Sequence, residues 1–254
     1  MKRLDAIFTP ADFEALRQSG SAAGRVCVVF DVLRATSSMI TALGRGAVEV
    51  LPVATIPEAL AARARRPGCL LAGERDGLRI TAAQTGSIDF DLGNSPREFT
   101  AERVAGRGIV MTTTNGTRAL RACAGAEAAF AACFLNLRAT AARLIRLRPD
   151  DILLVGSGTF EEAAYEDVLG VGALAALLAE ASPGAVMSDA AMLAHRLWAT
   201  EQGDLCGGLA RSRNGRRLLS RPELAADVAF CARIDSFPVV AALAADGAVR
   251  VVEG

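Results

Sequence analysis

Apolar residues gather along the chain in short uninterrupted runs, and between those runs they recur at helical spacing. The runs Val26–Val32, Val48–Val53, Cys69–Ala72, Gly108–Thr112, Ala128–Phe134 and Asp151–Val155 predict strands. They are continuous rather than alternating, the pattern of parallel strands covered on both faces. Helical periodicity predicts helices at Ser37–Leu43, Pro57–Arg65, Pro96–Arg103, Thr117–Ala122, Leu137–Leu147, Glu166–Glu180 and Ser188–Thr200. Thr55-Ile56-Pro57-Glu58 reads as a cap with proline in the first turn. Gly203–Gly215, rich in Gly, Arg and Ser, predicts a loop, and Pro238–Val252 a hairpin turned at Asp246-Gly247. The alternation of strand and helix predicts an α/β fold: one three-layer α/β/α domain over residues 1–254, in one or two lobes, built on a mainly parallel or mixed sheet.

Composition narrows the chemistry. Of 254 residues, 28 are basic and 28 acidic, so no net charge draws the chain to nucleic acid or an anionic membrane, and any anion binding is local. The single histidine, His195, excludes His-rich zinc centres and paired-histidine phosphatase chemistry. It sits in a helical pattern near Trp198, where packing is the simpler role. None of the six cysteines has C-x-x-C spacing, and most lie beside Ala, Val or Leu as structural thiols do. The N-terminus lacks the apolar core of a signal peptide. The longest uncharged apolar stretch, Val168–Ala179, falls short of the roughly 18 residues a membrane span needs. A soluble cytoplasmic protein without membrane or nucleic-acid partners is the expectation.

Ligands in open parallel sheets bind beyond the carboxyl ends of strands, so those ends hold the candidate chemistry. The first predicted strand runs into Asp31-Val32-Leu33-Arg34-Ala35-Thr36-Ser37, a carboxylate, a guanidinium and hydroxyls before a helix start. A strand-end Asp–Arg pair with a Ser/Thr cap explains that segment equally well. The third predicted strand ends in Glu74-Arg75-Asp76-Gly77, a second acid–base pair that also reads as an exposed ion pair. The fourth enters Thr112-Thr113-Thr114-Asn115-Gly116-Thr117, more hydroxyls than a turn requires and a plausible phosphate cradle. The sixth gives Gly156-Ser157-Gly158-Thr159 and then Glu166 and Asp167, either dipole-complementing charges or ligands for a hard cation. This Gly-rich turn matches neither dinucleotide nor P-loop spacing. Two other patterns fail: Cys69 to Arg75 has thiolate-phosphatase spacing without the helix cap, and Asp89-Phe90-Asp91 lacks a preceding strand. Together, acids for Mg²⁺ and arginines with N–H groups for oxyanions are the equipment of phosphoryl transfer.

Asp31-Val32-Leu33-Arg34-Ala35-Thr36-Ser37, Ala72-Gly73-Glu74-Arg75, Phe90-Asp91-Leu92-Gly93-Asn94-Ser95-Pro96 and Thr112-Thr113-Thr114-Asn115-Gly116-Thr117 occur in one order. With Glu166-Asp167-Val168-Leu169 and the Cys231–Asp235 stretch, they resemble the motifs of the 2-phosphosulfolactate phosphatase (ComB) family. The resemblance runs from about residue 5 to 240. It implies a ComB-like fold and a Mg²⁺-dependent phosphatase acting on a small anionic phosphorylated hydroxy acid. In the named reaction, part of coenzyme M biosynthesis, the products are sulfolactate and phosphate. A homodimer is the oligomer the resemblance implies. The roles expected on it are Asp31, Glu74 and Asp167 as metal ligands, and Asp31, Arg34, Glu166 and Asp167 as catalytic groups. Arg75, Asn94, Ser95, Thr113, Thr114, Asn115, Gly116, Thr117, Gly158 and Thr159 are expected to bind substrate. The chain departs from the family pattern at Phe160, where an acid is usual, and at Glu162, where an Arg is usual. The segment Thr81–Ser87 is longer than the family pattern, a difference expected to reshape the site entrance. A phosphatase of the same fold for another phospho-acid, and a silent anion-binding protein, are the alternatives.

Overall fold

A computed structural model describes residues 1–253. In chain order its strands are β1 (Arg3–Ile7), β2 (Val26–Phe30), β3 (Glu49–Pro52), β4 (Leu70–Arg75), β5 (Leu78–Arg79), β6 (Gly108–Thr112), β7 (Ala128–Ala132), β8 (Asp151–Gly156), β9 (Val186–Met187), β10 (Val240–Leu243) and β11 (Val249–Val252). They join one sheet in the order β5-β4-β6-β3-β11-β10-β7-β2-β8-β1-β9. β7, β2, β8, β1 and β9 form one parallel block, and β4, β6 and β3 form another. The antiparallel hairpin β10–β11 stitches the blocks together. The turn at Asp246-Gly247 forms as the sequence predicts: Gly247 has φ +83°, and Asp246 Oδ1 accepts from Ala248 N at 3.1 Å.

Three successive antiparallel pairings separate β3 from β7, so the two parallel blocks point in opposite directions. In a flat sheet their carboxyl ends would lie on opposite edges. Five steps separate β6 from β2, and at about 20–25° of twist per step the sheet turns by about 100–125° between them. That rotation lets the loops after β6, β2 and β8 converge. Asn115 Nδ2 donates to Gly158 O at 2.9 Å, tying a loop of one block to a loop of the other.

Helices cover both faces. β2 shows how one strand serves two cores: Cys27 and Val29 face a cluster with Phe13, Met39, Ile40 and Leu120. Val26, Val28 and Phe30 face Leu169, Leu174, Ala194 and Leu209. A smaller cluster joins Ala59 and Ala62 of helix Ile56–Arg65 to Leu71 and Val110. That helix starts as expected, with Thr55 Oγ1 accepting from Glu58 N at 3.2 Å.

Four stretches differ from expectation. Gly203–Gly215 is not a loop: helices Leu205–Arg211 and Arg213–Leu219 occupy it, capped by the side chains of Asp204 and Ser212. Pro96–Arg103 is a 3₁₀ turn, Pro96–Glu98, and a single-turn helix, Ala101–Val104. β1 and helix Pro10–Ser19 precede the first predicted strand. Helix Pro222–Cys231 follows the segment read as a loop. Among the described residues no helix is long and apolar enough to cross a membrane.

Candidate active site

The converging loops enclose a cavity of about 110 Å³. Its acids are Asp31, Glu74, Asp76, Glu166 and Asp167, and its guanidiniums are Arg34 and Arg217. Asp31 follows β2, and its Oδ1 accepts from Ala35 N at 2.9 Å. Its backbone is clasped by Thr36, whose Oγ1 accepts from Asp31 N and donates to Asp31 O. This closes the strand-to-helix turn and leaves the carboxylate facing the cavity. Gly116 lies directly against it: a Cβ there would sit 2.5 Å from Asp31 Oδ2. The cradle glycine therefore serves close approach to the acid.

Glu74 and Arg75 are neighbours on β4 and so point to opposite faces. Glu74 turns into the cavity, where Oε1 accepts from Thr114 N at 3.0 Å and Thr114 Oγ1 at 2.9 Å, and Oε2 accepts from Gly77 N at 2.7 Å. Arg75 turns away and donates to Glu74 O and Thr112 Oγ1. It does not reach the cavity wall. In the threonine loop, Thr113, Thr114 and Asn115 line the cavity, while Gly116 and Thr117 stand behind them. Thr117 does not cap the helix by its side chain; Thr113 Oγ1 accepts from Thr117 N at 3.3 Å.

Glu166 and Asp167 open helix Tyr165–Ala181 and are both buried. Asp167 is saturated: Oδ1 accepts from Val32 N at 2.8 Å, and Oδ2 from Ser157 Oγ at 3.0 Å and Gly158 N at 3.1 Å. Glu166 is not. Oε1 accepts from Asn214 Nδ2 at 2.5 Å, and Oε2 is buried with no partner. Asn214 also donates to Thr159 Oγ1 at 2.6 Å, so it fixes both walls of the Gly158–Thr159 turn. Asn94 lines the cavity too, with a buried, unpartnered Oδ1.

Arg34 is buried, with Nη1 donating to Asp227 Oδ2 at 2.7 Å and Nη2 to Gly77 O at 2.8 Å. Asp227 Oδ1 also accepts from Ser95 Oγ and Arg97 Nε, each at 2.7 Å. Ser95 thus supports the wall through Asp227 and does not face the cavity. Charge crowding shows in the acids. Burial, with Glu74 and Glu166 nearby, pushes the Asp31 carboxyl up to about 6 against the hydrogen bonds that would lower it. Burial first, then Asp31 and Glu166, pushes Asp167 well above the usual carboxylate range.

Sequence reasoning missed Asp227 and the residues of helix Arg213–Leu219 that face the cavity, Asn214, Arg217 and Leu218. The Ser212 cap was the available signal for that helix. The unsuccessful motifs are structural: Asp89 Oδ1 accepts from Ala82 N, and Asp91 Oδ2 from Leu71 N. No residue of Thr81–Ser87 lines the cavity. His195 lies beside Trp198 in a separate surface groove.

Residues 12–246 match the family model described as 2-phosphosulpholactate phosphatase. The chain belongs to the 2-phosphosulfolactate phosphatase family. It is 38% identical over 230 residues to a Synechococcus protein named "Probable 2-phosphosulfolactate phosphatase", covering 88% of this chain and 91% of that one. Proteins of the same name from Carboxydothermus hydrogenoformans and Pseudothermotoga lettingae are each 35% identical. They match over 94% and 97% of this chain and 92% and 98% of their own lengths. Membership of this family makes the chain a phosphoric monoester hydrolase.

Among the described residues no three His, Cys, Asp or Glu side chains are already gathered as a metal-binding cluster. The donor set nevertheless suits a hard cation. All of it is oxygen, Glu166 Oε2 has no partner, and the negative charges of Glu74 and Glu166 help push the Asp31 carboxyl up, as burial does.

Proposed function

We propose that the chain hydrolyses 2-phosphosulfolactate, releasing phosphate and sulfolactate, with Mg²⁺ as cofactor. The observation carrying this reading is the pairing, in one small cavity, of an under-coordinated buried acid, Glu166, with the threonine loop and Arg34. Asp31, Glu74 and Glu166 would hold the ion; Asp167, expected from sequence among the ligands, instead spends its oxygens on Val32, Ser157 and Gly158 and positions the turn. Bound Mg²⁺ would supply positive charge to the phosphoryl oxygens.

The protein's own groups account for the rest. Arg34, fixed by Asp227 and Gly77, presents a guanidinium to a phosphoryl oxygen without reorganising. Thr113 and Thr114 line the same cavity. Burial and the neighbouring acids push the Asp31 carboxyl up to about 6, so its ionised form is favoured by a cation placed beside it. The test is phosphate release from 2-phosphosulfolactate, 2-phospholactate and 3-phosphoglycerate, each with Mg²⁺ or chelator. Turnover of the sulfonated ester that needs Mg²⁺ and disappears in Asp31→Asn is expected. Turnover indifferent to chelator, or confined to another ester, refutes the metal or the substrate assignment respectively.

A further inference from the structure

The cavity's two guanidiniums are in different states. Arg34 is buried and has two fixed acceptors, Asp227 Oδ2 and Gly77 O. Arg217 stands at the mouth on helix Arg213–Leu219, 37% exposed, and its ion pair is a long one, Nη2 to Asp76 Oδ1 at 3.4 Å. Asp76 is 87% exposed and lies on the opposite lip, in the turn between β4 and β5. Arg221 Nη1 holds that turn by its backbone, donating to Asp76 O at 3.0 Å, so the turn does not depend on the Asp76 side chain. An exposed ion pair of this kind contributes little and exchanges readily.

We infer that Arg217 reads the second anionic group of the substrate, and that the Asp76 carboxylate occupies its place until substrate arrives. The inference rests on the proposed substrate class, a phosphate ester that carries a further anion. Phosphate belongs deep in the cavity, beside Arg34 and the threonine loop. A sulfonate or carboxylate attached to the same short carbon chain then points outward, to the lip where Arg217 is, among the described residues, the lining cation that is not buried. A guanidinium binds either anion through paired N–H donors. Arg75, expected from the sequence to bind substrate, faces the other side of β4 and spends donors on Glu74 O and Thr112 Oγ1. On the helix that carries Arg217, Arg213 is already paired with Glu162 at 2.6 Å, and Arg217 is the arginine of that helix that lines the cavity. Helix Arg213–Leu219 therefore supplies the cation at this mouth.

The experiment compares kcat/KM for three phosphate esters of one carbon length, bearing a sulfonate, a carboxylate or no second anion. In Arg217→Met the preference for the doubly anionic esters over the singly anionic one should fall roughly 10- to 100-fold, mostly through KM. Arg217→Lys should restore part of it. Asp76→Asn, which keeps a residue tolerant of φ +56°, should lower KM for the doubly anionic esters by roughly two- to fivefold. A preference that survives in Arg217→Met, or an equal loss on all three esters, overturns the role of Arg217. A wild-type preference for the carboxylate ester that Arg217→Met abolishes upholds Arg217 and refutes the sulfonated substrate. A wild-type protein with no preference for a second anion overturns both.

Discussion

Asp31→Asn should make the cation-free protein more stable while removing its activity. The Asp31 carboxyl is pushed up to about 6, chiefly by burial, against an ordinary value of 3.8. The folded state therefore holds the proton more tightly than the unfolded state does. Between about pH 4 and 6 the unfolded chain releases this proton first, so stability falls as pH rises through that window and stays low above it. The difference between 3.8 and about 6 corresponds to about 3 kcal/mol once Asp31 is ionised. Asparagine cannot ionise, keeps the Oδ1 that accepts from Ala35 N, and also lifts one repulsion from Asp167. For a chain of this length, 1 kcal/mol moves the melting temperature by about 2–4 °C. In chelator at pH 8, Asp31→Asn should thus melt up to about 10 °C above wild type, and at pH 4 the two should coincide. Adding Mg²⁺ should raise the wild type in proportion to ln[Mg²⁺] and leave Asp31→Asn nearly unmoved. The assay is calorimetry across pH with and without Mg²⁺. Melting curves that stay parallel from pH 4 to 8, or a variant less stable than wild type in chelator at pH 8, would refute the electrostatic account of this site.

Asp227→Ala removes the acceptor shared by Arg34, Ser95 and Arg97 and should cost about 3–5 kcal/mol, because it strands a buried guanidinium. Urea unfolding checks it, and a loss below about 1 kcal/mol would show that Gly77 O alone satisfies Arg34. Gly116→Ala places a methyl 2.5 Å from Asp31 Oδ2 and 2.6 Å from the Ala35 Cβ. Displacing the acid by an ångström should lower kcat about 100-fold; steady-state kinetics showing wild-type turnover would mean that Asp31 need not sit where it does.

Much of the sheet was legible because its strands are buried on both faces. β2 is Val-Cys-Val-Val-Phe, every residue buried, and such a run has few alternatives. β1 was not, because Arg3 and Asp5 interrupt its apolar positions. The segment Gly203–Gly215 reads as a loop because its glycines suggest turns. In the fold, Gly215 is there for contact: a Cβ would lie 1.9 Å from Leu209 O. The acids Asp31, Glu74, Glu166 and Asp167, read from sequence after predicted strands, all line one cavity. Arg75 was misplaced by treating Glu74-Arg75 as one unit, although period-two alternation sends neighbours on a strand to opposite faces.

The partners of these groups were hidden for a different reason. Asp227 lies 193 residues from Arg34 and 132 from Ser95, on a mostly apolar helix whose sequence does not mark it. Nothing local to Arg34 specifies where its charge is neutralised; the fold must first bring helix Pro222–Cys231 over the loop after β2. The same holds for the cavity itself. Its walls come from two parallel blocks that run in opposite directions and meet only because the sheet twists between them. A strand-end rule locates chemistry within each block, yet it cannot say that Glu74 and Asp31 share a cavity. The C-terminal hairpin decides that, since it sets how many twisted steps separate the two. Shortening that hairpin would therefore disturb Asp31 and Glu74 together while leaving each strand's own hydrophobic pattern unchanged.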